Sequence, residues 1–196
     1  TAIISEKEVA EKHFLDSLTI ATSKLFLDKC KLVDVGTGAG FPGLPLKIVF
    51  PELELSLVDS LRKRIGFLNF LIDELGLKGA KVYWSRAEEF GRDQSHREKY
   101  DFCTIRAVAQ LPVLLEYCLP LLKTGGILIA QKGEQCDEEV KNSANALSVL
   151  GGEVVDLETI RLPHSGFLRK LISIEKKHST SPNYPRRSGI PAKRPL

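Results

Sequence analysis

The sequence predicts an α/β protein: a mostly parallel sheet, helices on both faces, and an antiparallel hairpin at the C-terminal edge. Three observations carry this. Short apolar runs alternate with helix-periodic segments between residues 31 and 150, the pattern of parallel strands joined by crossover helices. A glycine cluster follows the first run, where such sheets hold their ligands. The last two apolar segments, 153–160 and 168–175, have no helix between them, and so short a connection joins strands antiparallel.

Each element has its own local reason. Residues 9–27 read as helical, with an interruption around 16–22. Lys31-Leu-Val-Asp-Val35 is a short apolar strand, 44–50 a helix closed by Pro51, and 53–59 an alternating strand. Leu61, Ile65, Leu68, Ile72 and Leu75 recur at spacings of four and three, one face of a helix. Ser60 is placed to cap that helix and Gly76 to end it. Strands follow at 80–84 and 101–105, a helix at 111–122, a strand at 127–131 after Gly125-Gly126, and a helix at 138–150. This order is that of a Rossmann-like sheet.

Composition narrows the function classes. With 196 residues, 43% hydrophobic and 27% charged, the chain is expected to bury roughly 70% of its unfolded surface without disulfides or structural metal. No run of about 18 apolar residues marks a membrane span, and no basic region leads into an apolar core as in a signal peptide. Residue 1 is Thr and the chain has no Met, so the natural N-terminus is expected upstream. Four cysteines without a Cys-x-x-Cys pair read as reduced thiols of a cytoplasmic protein, and no metal site is expected. No heptad pattern or long flat edge is evident, so a monomer is expected. Three segments are expected: helical residues 1–28, a ligand-binding domain at 29–175, and a basic Pro-rich tail at 176–196.

Charge is unevenly placed. The net charge is +3, yet residues 176–196 carry six Lys/Arg and no acid, leaving 22 basic against 25 acidic residues elsewhere. The tail's four prolines predict an extended chain outside any sheet interior. It reads either as a solvated end or as a basic arm on RNA phosphates, with Tyr184 available for base stacking. Arg62-Lys-Arg64 opens a helix, where cations oppose the dipole. That reads as a solvated face or as a hint of an anionic partner.

Ligand-binding elements recur at three successive strand ends. Gly36, Gly38, Gly40 and Gly43 follow the first strand, and Gly38-Ala-Gly40-Phe-Pro-Gly43 formally satisfies the dinucleotide pattern G-x-G-x-x-G. In register with the strand end, however, the element is Asp34-x-Gly36-x-Gly38-x-Gly40, with Asp34 able to orient the loop or meet a cationic ligand head. Asp59 ends the next strand, where a carboxylate accepts ribose hydroxyls of NAD or S-adenosylmethionine alike. Ser85-Arg-Ala-Glu88 follows the third strand; Ala87 and Glu88 can read an adenine edge, or Glu88 is a surface acid opening a short helix. Together these elements point to an adenosyl ligand. Arg106 and Lys132 end the fourth and fifth strands on the same rim, either holding phosphate or a base oxygen or serving as solvated charges or partners of Asp59 and Glu88. Cys103 reads as a small core residue, and His13 as a structural hydrogen-bonding histidine.

With these residues assembled, the chain resembles the class I methyltransferases. More narrowly, it is similar to the bacterial small-subunit ribosomal RNA guanine-N7 methyltransferases, the glucose-inhibited division protein B family or methyltransferase G. The resemblance rests on His13-Phe-Leu-Asp-Ser-Leu18, Leu32-Val-Asp-Val-Gly-Thr-Gly-Ala-Gly-Phe-Pro-Gly43, Val58-Asp-Ser60 with Lys63-Arg64, Ser85-Arg-Ala-Glu88, Ile105-Arg-Ala107, Gln131-Lys-Gly133 and the tail from Tyr184 to Leu196. Family members usually carry a further helical stretch before the first of these, absent here. The resemblance implies cofactor contacts for S-adenosylmethionine at Gly36, Phe41, Ala87, Glu88 and Arg106, with Asp59 on the ribose, and Gly38 and Gly40 of the glycine turn are expected to bind the cofactor beside them. It also implies small-subunit ribosomal RNA, within the subunit, as the partner. Lys132, Arg186, Arg187, Lys193 and Arg194 are the RNA contacts expected.

Guanine N7 carries an unprotonated lone pair at neutral pH, so its methylation needs no general base. No catalytic acid or base is therefore expected, and Arg106 and Lys132 act by positioning. Ile105-Arg-Ala107 stands where amino-group methylators carry an Asn/Asp-Pro-Pro-aromatic element. A nicotinamide oxidoreductase using the same glycine loop and a catalytically idle RNA-binding module are the competing classes.

Overall fold

The computed structural model describes residues 9–196 apart from Ala107. The first eight residues of the expected helical segment, and the last of Ile105-Arg-Ala107, lie outside the described residues. The strands are β1 (Lys31–Val35), β2 (Glu54–Asp59), β3 (Ala80–Trp84), β4 (Tyr100–Arg106), β5 (Leu122–Gly133), β6 (Gly152–Arg161) and β7 (Leu168–Lys176). They form one sheet in the order β3-β2-β1-β4-β5-β7-β6. β1 to β5 pair parallel, and β7 is antiparallel to both β5 and β6. The expected architecture, including the edge hairpin, is therefore present.

The helices are α1 (Gly43–Val49), α2 (Arg62–Glu74), α3 (Ala87–Arg92), α4 (Leu111–Cys118), α5 (Asp137–Lys141), α6 (Ala144–Leu150) and α7 (Ile190–Lys193). Strand residues alternate between two cores. Val33, Val35, Cys103 and Ile105 face α4 and α6, while Leu32, Leu55, Leu57 and Phe102 face α1 and α2. Cys103 is fully buried among them, and all four cysteines are buried and free. Among the described residues no helix is long and apolar enough to cross a membrane, and no cluster of ligating side chains offers a metal site.

Several boundaries differ from expectation for identifiable reasons. Residues 9–27 do not form one interrupted helix. A π-helical stretch at Ala10–Leu15 passes through α-helical Asp16–Leu18 to a 3-10 turn at Thr19–Thr22. The hydroxyls of Thr19 and Thr22 donate back to the carbonyls of Asp16 (2.6 Å) and Thr19 (2.7 Å), competing with regular helix bonds. The helix expected over 111–122 stops at Cys118 because Pro120 lacks an N–H donor, and a 3-10 turn at Leu119–Leu121 completes it. β5 begins earlier than expected, with Gly125-Gly126 inside a bulge where Tyr100 pairs with Leu122 and Phe102 with Ile127. Residues 138–150 split into α5 and α6, and Ser143 Oγ donates to the Glu139 carbonyl (2.6 Å) between them. Ser60 does not cap α2; Leu61 stands at the cap position and the Asp59 carboxylate accepts its N–H at 2.9 Å. Of the periodic α2 residues Leu68 alone is buried, because β3 is the edge strand and gives the helix little sheet to cover.

The tail is neither a solvated end nor a free arm. An extended proline-containing segment presents carbonyls that need donors, and the body supplies them. Arg92 Nε donates to the Pro185 carbonyl (2.6 Å), and Arg97 donates to those of Tyr184 (2.7 Å) and Thr180 (2.6 Å). Arg186 forks onto Glu116 with contacts of 2.6 and 2.9 Å. Glu116 is fully buried, so Arg186 neutralises a carboxylate that would otherwise stand in the core. Tyr184 packs against the α4 core. Arg186→Ala is therefore expected to destabilise the fold by about 3 kcal/mol in urea denaturation. Arg186→Ala with Glu116→Leu is expected to recover much of that loss, since the isolated carboxylate is then gone.

Candidate functional site

Five parallel strands end on one rim: Val35 pairs with Val58 and Ile105, and one residue further along Asp59 pairs with Trp84 and Arg106 with Gln131. The chain runs outward from β1 through β2 to β3, then crosses back to β4 on the other side of β1. This reversal leaves a crevice at the β1 end. It opens into a cavity of about 960 Å³, the size of a site for a nucleotide-like ligand.

The turn after β1 builds its floor. Gly36, Gly38 and Gly40 all have left-handed φ, at +69°, +63° and +97°, a conformation that favours glycine. The Gly36 and Thr37 N–H groups donate to the Val58 carbonyl at 2.9 and 3.1 Å, tying the turn to β2. Asp34 orients the loop, as one of its two expected roles had it. Its Oδ2 accepts from Thr37 Oγ1 (2.6 Å) and from the Gly43 N–H (2.9 Å), while Oδ1 is buried without a partner. A Cβ on Gly43 would lie 2.9 Å from that Oδ2 and 2.7 Å from Leu57, so α1 can start this close only on glycine. Burial pushes the Asp34 carboxyl up to about 6, against the pull of its two donors.

Asp59 sits at the end of β2 on the cavity wall. Its Oδ2 accepts from the Gly38 N–H and from Arg64, each at 2.9 Å. Arg64 is about half exposed, so it can swing clear when a ligand hydroxyl competes for the carboxylate.

The opposite wall comes from the N-terminal segment and the ends of β4, β5 and β7. Asp16, buried, binds two arginines: Arg106 at 3.2 Å and Arg169 at 3.0 Å. Gln131 Nε2 donates to the Asp16 carbonyl (2.7 Å) and to Thr19 Oγ1 (3.1 Å), and its buried Oε1 has no partner. Phe41 is packed by His13, stacked at 5.2 Å, and by Arg106, whose guanidinium carbon lies 5.4 Å from the ring centre. Burial and the nearby Arg106 charge lower the His13 pKa, so the ring is neutral at pH 7. Lys132 binds Glu139 and the Ala109 carbonyl, both at 2.6 Å.

The cavity thus brings together Gly36, Gly38, Phe41, Asp59, Arg106 and Lys132. Arg106 and Lys132 are neither solvated nor paired with Asp59 and Glu88; Asp16 and Glu139 take them, being nearer in the fold. His13 is a cavity-lining aromatic rather than a side-chain hydrogen-bonding residue. Gly40 lies behind the turn, where a side chain would run into Leu44. Ala87 starts α3, and the buried Glu88 accepts the Gly189 N–H at 2.8 Å, so the tail reaches the third strand end. Arg186 is engaged by Glu116, while Arg187, Lys193 and Arg194 are exposed. Sequence reasoning missed Asp16, Arg169 and Glu139 as cavity groups or partners. Their only signal was an acid within His13-Phe-Leu-Asp-Ser-Leu18.

Comparison with known proteins follows the same direction. The sequence model of the family described as rRNA small subunit methyltransferase G matches residues 1–167. Proteins named ribosomal RNA small subunit methyltransferase G from Alkaliphilus metalliredigens and Acetivibrio thermocellus align with the whole chain at 52% and 53% identity, over 82% and 80% of their own lengths. The solved structure of M. jannaschii TYW2 in complex with AdoMet has a TM-score of 0.66 at 14% identity, covering 89% of this chain and 79% of that one. A SAM dependent methyltransferase from Aquifex aeolicus gives 0.62 at 19% identity, covering 87% and 94%. These structural likenesses concern the fold.

A pH test isolates the loop's buried carboxyl. Below about 4 the Asp34 carboxyl is protonated in both folded and unfolded chains, and above about 6 it is ionised in both. Its contribution to stability is therefore full below 4 and lost as pH rises through 6. Asparagine keeps the acceptor for Thr37 and Gly43 but does not titrate. In urea titrations, wild type minus Asp34→Asn should shift in favour of the wild type by up to about 3 kcal/mol between pH 7 and pH 4.

Proposed function

The chain belongs to the rRNA small subunit methyltransferase G family, and from that premise we infer that it methylates N7 of a guanine in small-subunit (16S) ribosomal RNA, with S-adenosylmethionine as donor. The observation that carries this reading is the joining, in one cavity, of a bare glycine turn and an Asp59 carboxylate with a wall of planar and cationic side chains.

S-adenosylmethionine supplies an electrophilic methyl group on its sulfonium. The chain's part is to hold and orient. The bare main chain at Gly36–Gly38 lets an adenosyl group lie close, and the Asp59 carboxylate suits its hydroxyl-bearing end, with Ala87 and Glu88 on the adenine side and Gly40 shaping the turn. The unpartnered Asp34 Oδ1 lies beneath the same loop. The residues present therefore fit the cofactor. Phe41, His13 and Arg106 provide the flat, apolar and cationic faces between which a purine is accommodated. Arg106 is kept in place by Asp16, so its guanidinium meets the base or cofactor without reorganising. A guanine N7 gives up no proton, which accords with a neutral His13 and with Asp16 held between two arginines. Lys132, fixed by Glu139, positions phosphate or base at the rim.

The same reading places the substrate within the small ribosomal subunit and the enzyme in the cytoplasm as a monomer. Exposed Arg187, Lys193 and Arg194 serve as phosphate contacts, with Arg186 securing the tail that carries them. The functional division proposed is an N-terminal segment at 1–28, a methyltransferase domain at 29–175 and the tail at 176–196.

Calorimetry tests the cofactor reading. S-adenosylhomocysteine is expected to bind and NAD is not. Asp59→Ala should weaken S-adenosylhomocysteine about ten- to a hundredfold, the value of hydrogen bonds to a charged acceptor. Because Asp59 also holds Gly38 through Oδ2 and Leu61 through Oδ1, and Asn keeps only one of these acceptors, the urea midpoint of Asp59→Ala is measured beside its binding to separate a loosened loop from a lost ligand contact. Binding of NAD without S-adenosylhomocysteine would overturn the assignment.

A further inference from the structure

Beside the cavity, four features of the β3 edge have no role in the fold. Trp84, the last residue of the edge strand, is 59% exposed, and Phe70 on α2 is equally so. The Trp84 ring is nevertheless held, its Nε1 donating to the Ser60 carbonyl at 3.1 Å and the Arg62 guanidinium carbon lying 5.3 Å from its centre. Arg62, Gly66 and Phe70 follow at spacings of four along α2, which puts them on one helix face. Gly66 stands mid-helix, where glycine costs about 1 kcal/mol relative to alanine, yet a Cβ there would meet nothing within 4 Å. Packing does not require it. Arg62 and Lys63 lie in the first turn, against the dipole, and among the described residues neither has an ion-pair partner.

We propose that Trp84, Arg62, Gly66 and Phe70 form a stacking platform for single-stranded RNA flanking the target guanine, with Arg62 and Lys63 on its phosphates. The proposal rests on the functional reading above. An enzyme acting on a base must take it out of its stack, which leaves neighbouring bases exposed. A rigid aromatic ring beside a cationic groove is what such bases bind without sequence preference. The bare helix face at Gly66 lets a nucleotide lie against the helix between the cations and Phe70. The platform adjoins the cavity directly, since Ser60, which anchors Trp84, and Arg64, which follows Lys63, both line it. The cations favour a polyanion over an apolar protein surface as occupant.

Trp84 is the chain's one tryptophan, so its fluorescence reports this surface alone. A single-stranded RNA dodecamer of mixed sequence should quench it, salt should reverse the quenching, and S-adenosylhomocysteine alone should leave it unchanged. In methyl transfer to small ribosomal subunits, Trp84→Ala should raise KM about tenfold or more with kcat retained, and Trp84→Phe should restore KM. Gly66→Glu should raise KM similarly by placing an anion on the bare face. No quenching by RNA from a wild-type enzyme that methylates subunits would overturn the platform. So would quenching by S-adenosylhomocysteine alone, which would put Trp84 in the cofactor cavity, or by ribosomal proteins but not RNA, which would make the surface a protein contact. A wild type that transfers no methyl overturns the functional reading instead, and the RNA titration decides the platform in either case.

Discussion

The turn after β1 has to reverse direction around a carboxyl group buried from solvent. Asp34 is 1% exposed, and two donors from its own loop, Thr37 and Gly43, meet one of its oxygens. That arrangement sets the rest. It draws α1 down onto β1 and β2, fixes three successive left-handed glycines, and leaves a floor of bare main chain at the crevice between β1 and β4. A side chain on Gly43 would displace the carboxylate, and a neutral residue of different shape would release the turn. The cavity exists because the loop cannot collapse into it.

A second buried carboxylate governs the opposite wall. Asp16 receives Arg106 from β4 and Arg169 from β7, so one acid ties the N-terminal segment to the centre and the hairpin side of the sheet. Two cations held by one acid leave a net positive wall, suited to a polyanionic substrate. Pairing also freezes both guanidinium planes, so a base or phosphate entering between them meets preset geometry. The irregular helical path of residues 10–22 is what brings His13 and Asp16 to the cavity. Its hydroxyl-rich composition gives up regular helix bonds, and π-helical stretches of this kind recur at functional sites.

The succession of strands and helices along the chain and the glycine turn were legible because each is set by local pattern. Lys31–Val35 and Ala80–Trp84 agree with expectation to the residue, their apolar runs being bounded by polar residues and glycines. The docking of the tail onto the body was not legible because composition describes exposure only when nothing buries the segment. Arg92, Arg97 and Glu116 supply its partners, yet in these contacts they lie 70 to 93 residues away in sequence. The same limit explains Arg106 and Lys132. Their places at strand ends follow from periodicity, but Asp16 and Glu139 reach them only through tertiary packing. Asp16 and Arg169, 153 residues apart, leave no periodic trace at all.

The most direct test is transfer of labelled methyl from S-adenosylmethionine to small ribosomal subunits from cells lacking this protein, with the modified base mapped by cleavage at N7-methylguanine. Free ribosomal RNA runs alongside. Label confined to a single guanine N7 is the predicted result. Binding of S-adenosylhomocysteine without any label in subunit or RNA, or label on an amino group, would contradict it.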